Sequence, residues 1–259
     1  MRLDNKNILI TGVSRPLGIG ATLAKRFAEA GATIGVHGYA AYDLTEGCNN
    51  SATPNSTQEL VEQLTNSGLP IVLITPSDFT QVGTATAAVN EASQKLGGLD
   101  GLVLNHCYGT YIEIGEWTEE NLDAHFSVNI RASMLMIQAF AAQVDSTRDN
   151  VITLFTSGQA NGPMTNEIPY CVAKEAISNM CRQTAILLGE KNIRVNCINP
   201  GPNDTGYFPG DTSNWCVPDD AADLALFLHS AYAKCITGQV IASDKGQGFG
   251  GEFVLKGRK

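Results

Sequence analysis

The sequence predicts an α/β fold, a parallel sheet with helices on both faces. Three observations carry this. Short apolar runs alternate with helical patterns along the whole chain. Several runs are apolar without alternation, as strands covered on both sides should be. No linker, repeat or composition break interrupts the order, so residues 1–259 read as a single domain.

The elements come in this order. "NILITG" is the first strand. "GATLAKRFAEAG" is a helix with Leu23, Ala24, Phe27 and Ala28 on one face and Gly31 as its stop. "TIGVHG" is the second strand. Residues 39–57, "YAAYDLTEGCNNSATPNST", are rich in Asn, Ser and Thr and read as a long loop, of the kind that is functional or mobile in compact domains. "STQELVEQLTNSG" is a helix capped by Ser56 or Thr57, and "PIVLITPSD" a third strand. A helix at "TATAAVNEASQKLGG" leads to a fourth strand, "LDGLVLNH". Helices around 119–144 and 167–189 flank the strand "NVITLFTS". "IRVNCINPG", a helix near "PDDAADLALFLHSAYA" and a strand at "TGQVIASD" complete the series. In such sheets ligands bind beyond the carboxyl ends of the strands.

Composition excludes some partners. The formal charge is −9 with no basic block, which argues against nucleic acid and against an anionic membrane surface. No apolar run has the length of a membrane span, and the N-terminus shows no signal-peptide pattern. The seven cysteines are scattered without a C-x-x-C pair, which reads as reduced thiols in a cytoplasmic protein.

Residues 11–20, "TGVSRPLGIG", stand between a strand and a helix, the setting in which glycines let the backbone approach a pyrophosphate at a helix N-terminus. The bland reading is an ordinary strand-to-helix turn. Tyr170 and Lys174 in "YCVAK" lie four apart on a helix, hence on one face. An ammonium beside a phenol favours the phenolate, which a tyrosine needs if it is to move protons near neutrality. Ser157 ends a strand thirteen residues earlier, where a hydroxyl can donate to a reacting carbonyl oxygen. Alone, such a serine is usually a turn residue; the conjunction of the three features is the signal.

With these residues in place the chain resembles the single-domain short-chain dehydrogenases/reductases over nearly its whole length. The further motifs are "SDF" at 77–79, "LNHC" at 104–107, Asn129 in "FSVNI", "NPGPNDT" at 199–205 and "ITGQVIASDKG". The resemblance implies a Rossmann-type, doubly wound parallel sheet of about seven strands. It implies an NAD(P)-dependent oxidoreductase for a carbonyl or alcohol, such as a 3-oxoacyl reductase, usually a tetramer or dimer. Tyr170 is then general acid in reduction and base in oxidation, Lys174 lowers its pKa and binds the nicotinamide ribose, Ser157 orients the substrate oxygen, and Asn129 holds a relay water. Cofactor contacts are implied for Gly12, Ser14, Arg15, Gly18, Ile19 and Gly20 in the turn. Asp78 and Phe79 meet the adenine, Asn105 lies under the cofactor, and Pro200, Gly201 and Thr205 face the carboxamide. A non-catalytic nucleotide sensor or scaffold on the same fold is the alternative, and a lyase or epimerase using the same Tyr–Lys pair a third reading.

Four departures matter. Pro16 and Leu17 expand the glycine turn and are expected to bulge outward, leaving pyrophosphate binding intact with an altered rim. His106 and Cys107 replace small residues of the family; tolerated packing is the favoured reading, and a metal pair is not expected because no further ligands cluster. After the second strand Gly38 and Tyr39 stand where an acid would select NAD. Arg15 could pair a 2′-phosphate, so NADP(H) is favoured over NAD(H), unless the long loop folds back and Asp43 supplies the acid. Finally, only "GYFPGDTSNWC" separates Thr205 from the next helix, too little for a full substrate flap; Tyr207, Phe208 and Trp215 suggest an aromatic wall. The glycine-rich ending departs from the family too, and is read as a mobile tail or one that docks on another subunit.

Overall fold

A computed structural model describes residues 1–45, 52–206, 208 and 210–249. Seven parallel strands form one sheet: β1 (Asn7–Thr11), β2 (Thr33–Val36), β3 (Ile71–Leu73), β4 (Gly101–Leu104), β5 (Asn150–Phe155), β6 (Ile193–Asn199) and β7 (Val240–Ala242). Their spatial order is β3-β2-β1-β4-β5-β6-β7. This is the expected doubly wound sheet. Its helices are α1 (Ile19–Glu29), α2 (Ala40–Thr45), α3 (Ser56–Asn66), α4 (Thr84–Leu96), α5 (Glu119–Phe126), α6 (Ser133–Gln143), α7 (Ile168–Leu188) and α8 (Pro218–His229).

Side chains alternate across a strand, so each strand serves two cores. Leu9, Leu102, Ile152 and Val195 point to one face and pack with Val89, Phe140 and Ile177 of α4, α6 and α7. Ile8, Ile10, Val103 and Ile198 point to the other and pack with Leu23 and Phe27 of α1 and Ala225 and Leu228 of α8. The α1 face is the one its sequence predicts, and Gly31, at φ 102°, ends the helix in a conformation glycine adopts freely. Phe27 is fully enclosed; removing such a ring costs about 3–5 kcal/mol.

Register aligns the strand ends that matter. Thr11 pairs with Leu104 and Leu104 with Leu154, so the segments after β1, β4 and β5 emerge side by side. The strand order reverses between β1 and β4, and a crevice opens there.

Three element expectations change. The stretch 39–57 is not loop throughout: its start folds as α2, and residues 46–51 lie outside the described residues. The N-cap of α3 is Asn55, not Ser56 or Thr57, because Ser56 Oγ instead accepts the Thr53 N–H. The helical stretch 119–144 is interrupted by a π-helical turn at Ser127–Ala132. Among the described residues no helix is long and apolar enough to cross a membrane, and the six described cysteines are free thiols.

Candidate active site

The glycine turn is built by close packing. Gly12 has φ 73°, and a Cβ there would come within 2.6 Å of the His106 amide nitrogen. A Cβ on Gly20 would run into the Gly12 carbonyl, which already accepts the Asn105 side-chain amide at 2.9 Å. Asn105 thus ties the turn to the end of β4. Gly18 is the N-cap of α1 and no side chain caps the first turn, so its N–H groups are left for a ligand, with the dipole favouring an anion. Pro16 and Leu17 are exposed, Leu17 at 57 %, so the expansion does bulge outward. His106 borders the cavity, but both ring nitrogens are engaged away from it. Its ring is buried against Thr11 Oγ1 (2.7 Å) and the Val128 carbonyl (3.1 Å), and burial pushes its pKa down to about 3. Packing explains it; Cys107 alone of the pair is exposed.

Beyond the turn the cavity extends under β2. His37 follows that strand, buried and stacked on Phe79 at 4.4 Å, with Nε2 3.2 Å from the Ser77 amide and 3.0 Å from its hydroxyl. Burial lowers its pKa to about 4, so it is neutral. Asp78 turns one carboxylate oxygen to the Thr80 N–H, 2.8 Å. The chain does fold back here: α2 carries Asp43, buried, to 3.6 Å from Arg15 Nε, and the carboxylate also accepts a hydrogen bond from Ser14. On the same helix Tyr42 reaches across to Gly109 after β4, donating to its carbonyl at 2.6 Å and accepting its N–H at 3.1 Å.

At the other end stand the chemical groups. Ser157 follows β5, and its hydroxyl hydrogen-bonds Tyr170 of α7. Tyr170 is held so closely that a Cβ on Gly109 would meet its ring at 2.9 Å. Lys174 approaches the phenol from the same helix, and the phenol's net shift is upward. Burial, with a smaller push from Cys107, raises the phenol above its ordinary value, and the Ser157 hydrogen bond opposes this without offsetting it. Lys174 Nζ stands 5.6 Å from the ring centroid and donates to the Phe155 carbonyl, 3.0 Å. Asn129 stands behind this pair. It sits in the π-helical turn with its side-chain amide closed on the Tyr108 backbone, accepting N–H at 2.9 Å and donating to C=O at 2.8 Å. Its main-chain carbonyl accepts the Ser133 hydroxyl at 2.8 Å.

One cavity of about 560 Å³ joins both ends. Gly12, Ser14, Arg15, Gly18, Ile19 and Gly20 line it, as do Asp78, Phe79, Asn105, Ser157, Tyr170 and Lys174, and on the far wall Pro200, Gly201 and Thr205. Of the residues expected from sequence, only Asn129 stands back from it. The far wall is braced from behind: Gly201, at φ 63°, packs against Asp244, which receives the Gly246 and Gly248 N–H groups. Trp215 lines the same region, stacked on Phe208 at 5.1 Å. Tyr207 and residues 250–259 lie outside the described residues. His37, Tyr42, Tyr108 and Glu167 were not legible as lining residues. Their only signal was position, at a strand end, in the polar stretch after β2, after β4 and just before α7.

A groove of this kind can hold a dinucleotide along a sheet edge, its phosphates on the α1 terminus, and move one proton at Tyr170. That is the equipment of a dinucleotide-dependent oxidoreductase. Residues 12–247 match the family model described as Enoyl-(Acyl carrier protein) reductase. The chain belongs to the short-chain dehydrogenase/reductase family and is an enzyme of it. It is 31% identical to the hydroxynaphthalene reductase-like protein Arp2 of Metarhizium guizhouense, over 92% of this chain and 93% of that protein. It is 28% identical to the 3-oxoacyl-(acyl-carrier-protein) reductase FabG of Chlamydia muridarum, over 94% and 98%. A short chain dehydrogenase from Burkholderia cenocepacia J2315, solved in complex with NADP, superposes with a TM-score of 0.80 at 26% identity, covering 93% of this chain and 97% of that one.

Proposed function

We propose that this enzyme reduces bulky carbonyl compounds, 3-oxoacyl or aromatic ketones, with NADP(H) as the favoured cofactor and NAD(H) accepted. The observation that carries the reading is the convergence of Ser157 and Tyr170 on a cavity that also contains the free α1 terminus and the Trp215 wall. The nicotinamide, when bound, supplies or takes the hydride. Ser157 donates to the substrate oxygen and orients it. Tyr170, kept protonated by burial, gives its proton to that oxygen in reduction and recovers one through Lys174. Asn129 holds the 108–109 backbone against the Tyr170 ring and fixes its place. Trp215 and Phe208 give a flat apolar surface to a large substrate, and Glu167, raised in pKa by burial, lines the same end as a hydrogen-bond partner for a hydroxyl. The names of the Chlamydia and Metarhizium relatives support both substrate classes. The Burkholderia complex and Arg15 in the cavity wall support NADP(H), and Asp43, 3.6 Å from Arg15, supports NAD(H) as well.

The test is oxidation of NADPH and NADH with a panel of 3-oxoacyl esters and aromatic ketones. Tyr170→Phe keeps the ring and removes the proton; kcat should fall at least ~100-fold with dinucleotide affinity nearly intact. An active Tyr170→Phe enzyme overturns the assignment. The chain is further proposed to be a homo-oligomer of one domain per subunit. Phe126, Met134, Val172, Ile186 and Leu187 leave apolar surface exposed on α5, α6 and α7, and sedimentation velocity reports the mass.

A further inference from the structure

Glu167 is the N-cap of α7, one turn before Tyr170. A polar side chain at an N-cap ordinarily turns back to accept the free N–H groups of its own first turn. Glu167 does not: its side chain makes no capping hydrogen bond. It lines the cavity instead, on the wall that holds Ser157, Tyr170 and Trp215. The carboxylate is half-buried and has no hydrogen-bond or ion-pair partner among the described residues. Its charge reaches its neighbours. After burial, it adds to the upward pKa shifts of Tyr170, Tyr111 and Cys171.

No cation stands opposite it. The segments that supply this end of the cavity, 106–124, 157–173 and 200–217, contain no lysine or arginine. Lys174 Nζ is spent on the Phe155 carbonyl, and Lys245 on the Trp215 carbonyl and Asp220. Arg15 lies in the glycine turn, beside Asp43. The Ile112 N–H donates to the Asn166 carbonyl at 2.7 Å, which sets the exposed Glu113 on the neighbouring segment and adds charge of the same sign. A half-buried carboxylate without a donor has lost hydration that the protein does not replace. A substrate hydroxyl replaces it, and an ammonium does so with charge as well. A substrate carboxylate meets like charge and no counter-ion. Trp215 and Phe208 then take the apolar body of the molecule and Glu167 one polar substituent of it.

We propose that Glu167 is the specificity-determining residue of the reacting end: it selects carbonyl compounds that carry a hydrogen-bond donor, a hydroxyl or an ammonium, and rejects those that carry a carboxylate. This rests on the oxidoreductase reading above and narrows it, from bulky carbonyl compounds to aromatic ketones with a donor substituent.

The experiment measures kcat/KM for acetophenone and for analogues bearing a hydroxyl, aminomethyl or carboxylate group at the meta or para position, with saturating NADPH and with saturating NADH. Referred to acetophenone, wild type should prefer the hydroxyl and aminomethyl compounds to the carboxylate by at least about tenfold. Glu167→Gln keeps the size and removes the charge. It should cut the aminomethyl-to-carboxylate ratio at least about tenfold, and Glu167→Ala should abolish the hydroxyl preference too. A wild type that takes the carboxylate as well as the aminomethyl compound overturns the proposal. So does a Glu167→Gln enzyme that lowers all four compounds by one factor, the mark of a residue that only shapes the start of α7. If wild type turns over none of the four, the oxidoreductase reading fails, and Glu167 is judged by binding alone. Quenching of tryptophan emission, with Trp215 in the cavity wall, should then still rank the four by charge in wild type and cease to do so in Glu167→Gln. The same ranking in both proteins, or none in wild type, overturns the proposal.

Discussion

Tyr170 shows what a single side chain's surroundings decide. Its phenol is raised in pKa by burial, so the proton is retained through neutral pH and well above it. The acid form serves reduction and the phenolate serves oxidation. Hence kcat/KM for reduction should stay flat from about pH 6 to 9, while kcat/KM for alcohol oxidation climbs with pH throughout that range. A pH–rate profile in both directions checks this; an oxidation limb already flat at pH 7 would mean that Lys174 lowers the phenol after all. Tyr170, Lys174 and Ser157 were legible because their spacing on a helix and at a strand end survives in the linear sequence. The direction of the pKa shift was not. It depends on burial and on Cys107, Glu167 and Cys171, which come from the segment after β4 and the start of α7.

Elements divide into those whose period fills them and those too short or too irregular to have one. The face of α1 was readable because Leu23, Ala24, Phe27 and Ala28 repeat at helical spacing. Helix α2 was not, since six residues do not complete two turns and the Asn/Ser/Thr-rich run after it reads as loop. The π-helical turn at Ser127–Ala132 was hidden for another reason: one extra residue per turn leaves the composition helical while rotating the residues of α6 beyond it. The segment after Thr205 belongs with the short elements. Between Thr205 and α8 its described residues form no helix. A single bridge from Asn203 to Cys216 closes it, and Lys245 Nζ holds the Trp215 carbonyl at 2.8 Å. A wall this fixed should favour substrates that fill it. In a ketone series of rising size, kcat/KM should increase with bulk, and Trp215→Ala should cut the bulky members about tenfold or more while sparing the smallest. Equal losses along the series would show that Trp215 only packs the loop.

Over the whole molecule the sheet was the most legible feature, because unbroken apolar strands between amphipathic helices admit few arrangements once crossovers are right-handed. What the pattern concealed is how much polar chemistry the sheet encloses. His37, His106 and His229 are all buried, with pKa values lowered by burial to about 4, 3 and 3. The unfolded chain protonates them near 6.5 while the folded chain does not. Unfolding therefore takes up protons between those values, and stability is lost as pH falls through about 6.5 toward 4. Urea unfolding from pH 7.5 to 5 should show it, with a slope nearing one proton per histidine. A pH-independent midpoint across that range would contradict their burial as neutral rings. The paired hydrogen bonds between the Tyr42 hydroxyl and the Gly109 backbone join α2, after β2, to the segment after β4. Its consequence is one of time. A long ligand lying along the groove would be spanned by that clasp, so loss of the Tyr42 hydroxyl in Tyr42→Phe should shorten the residence of a bound dinucleotide, which stopped-flow release checks.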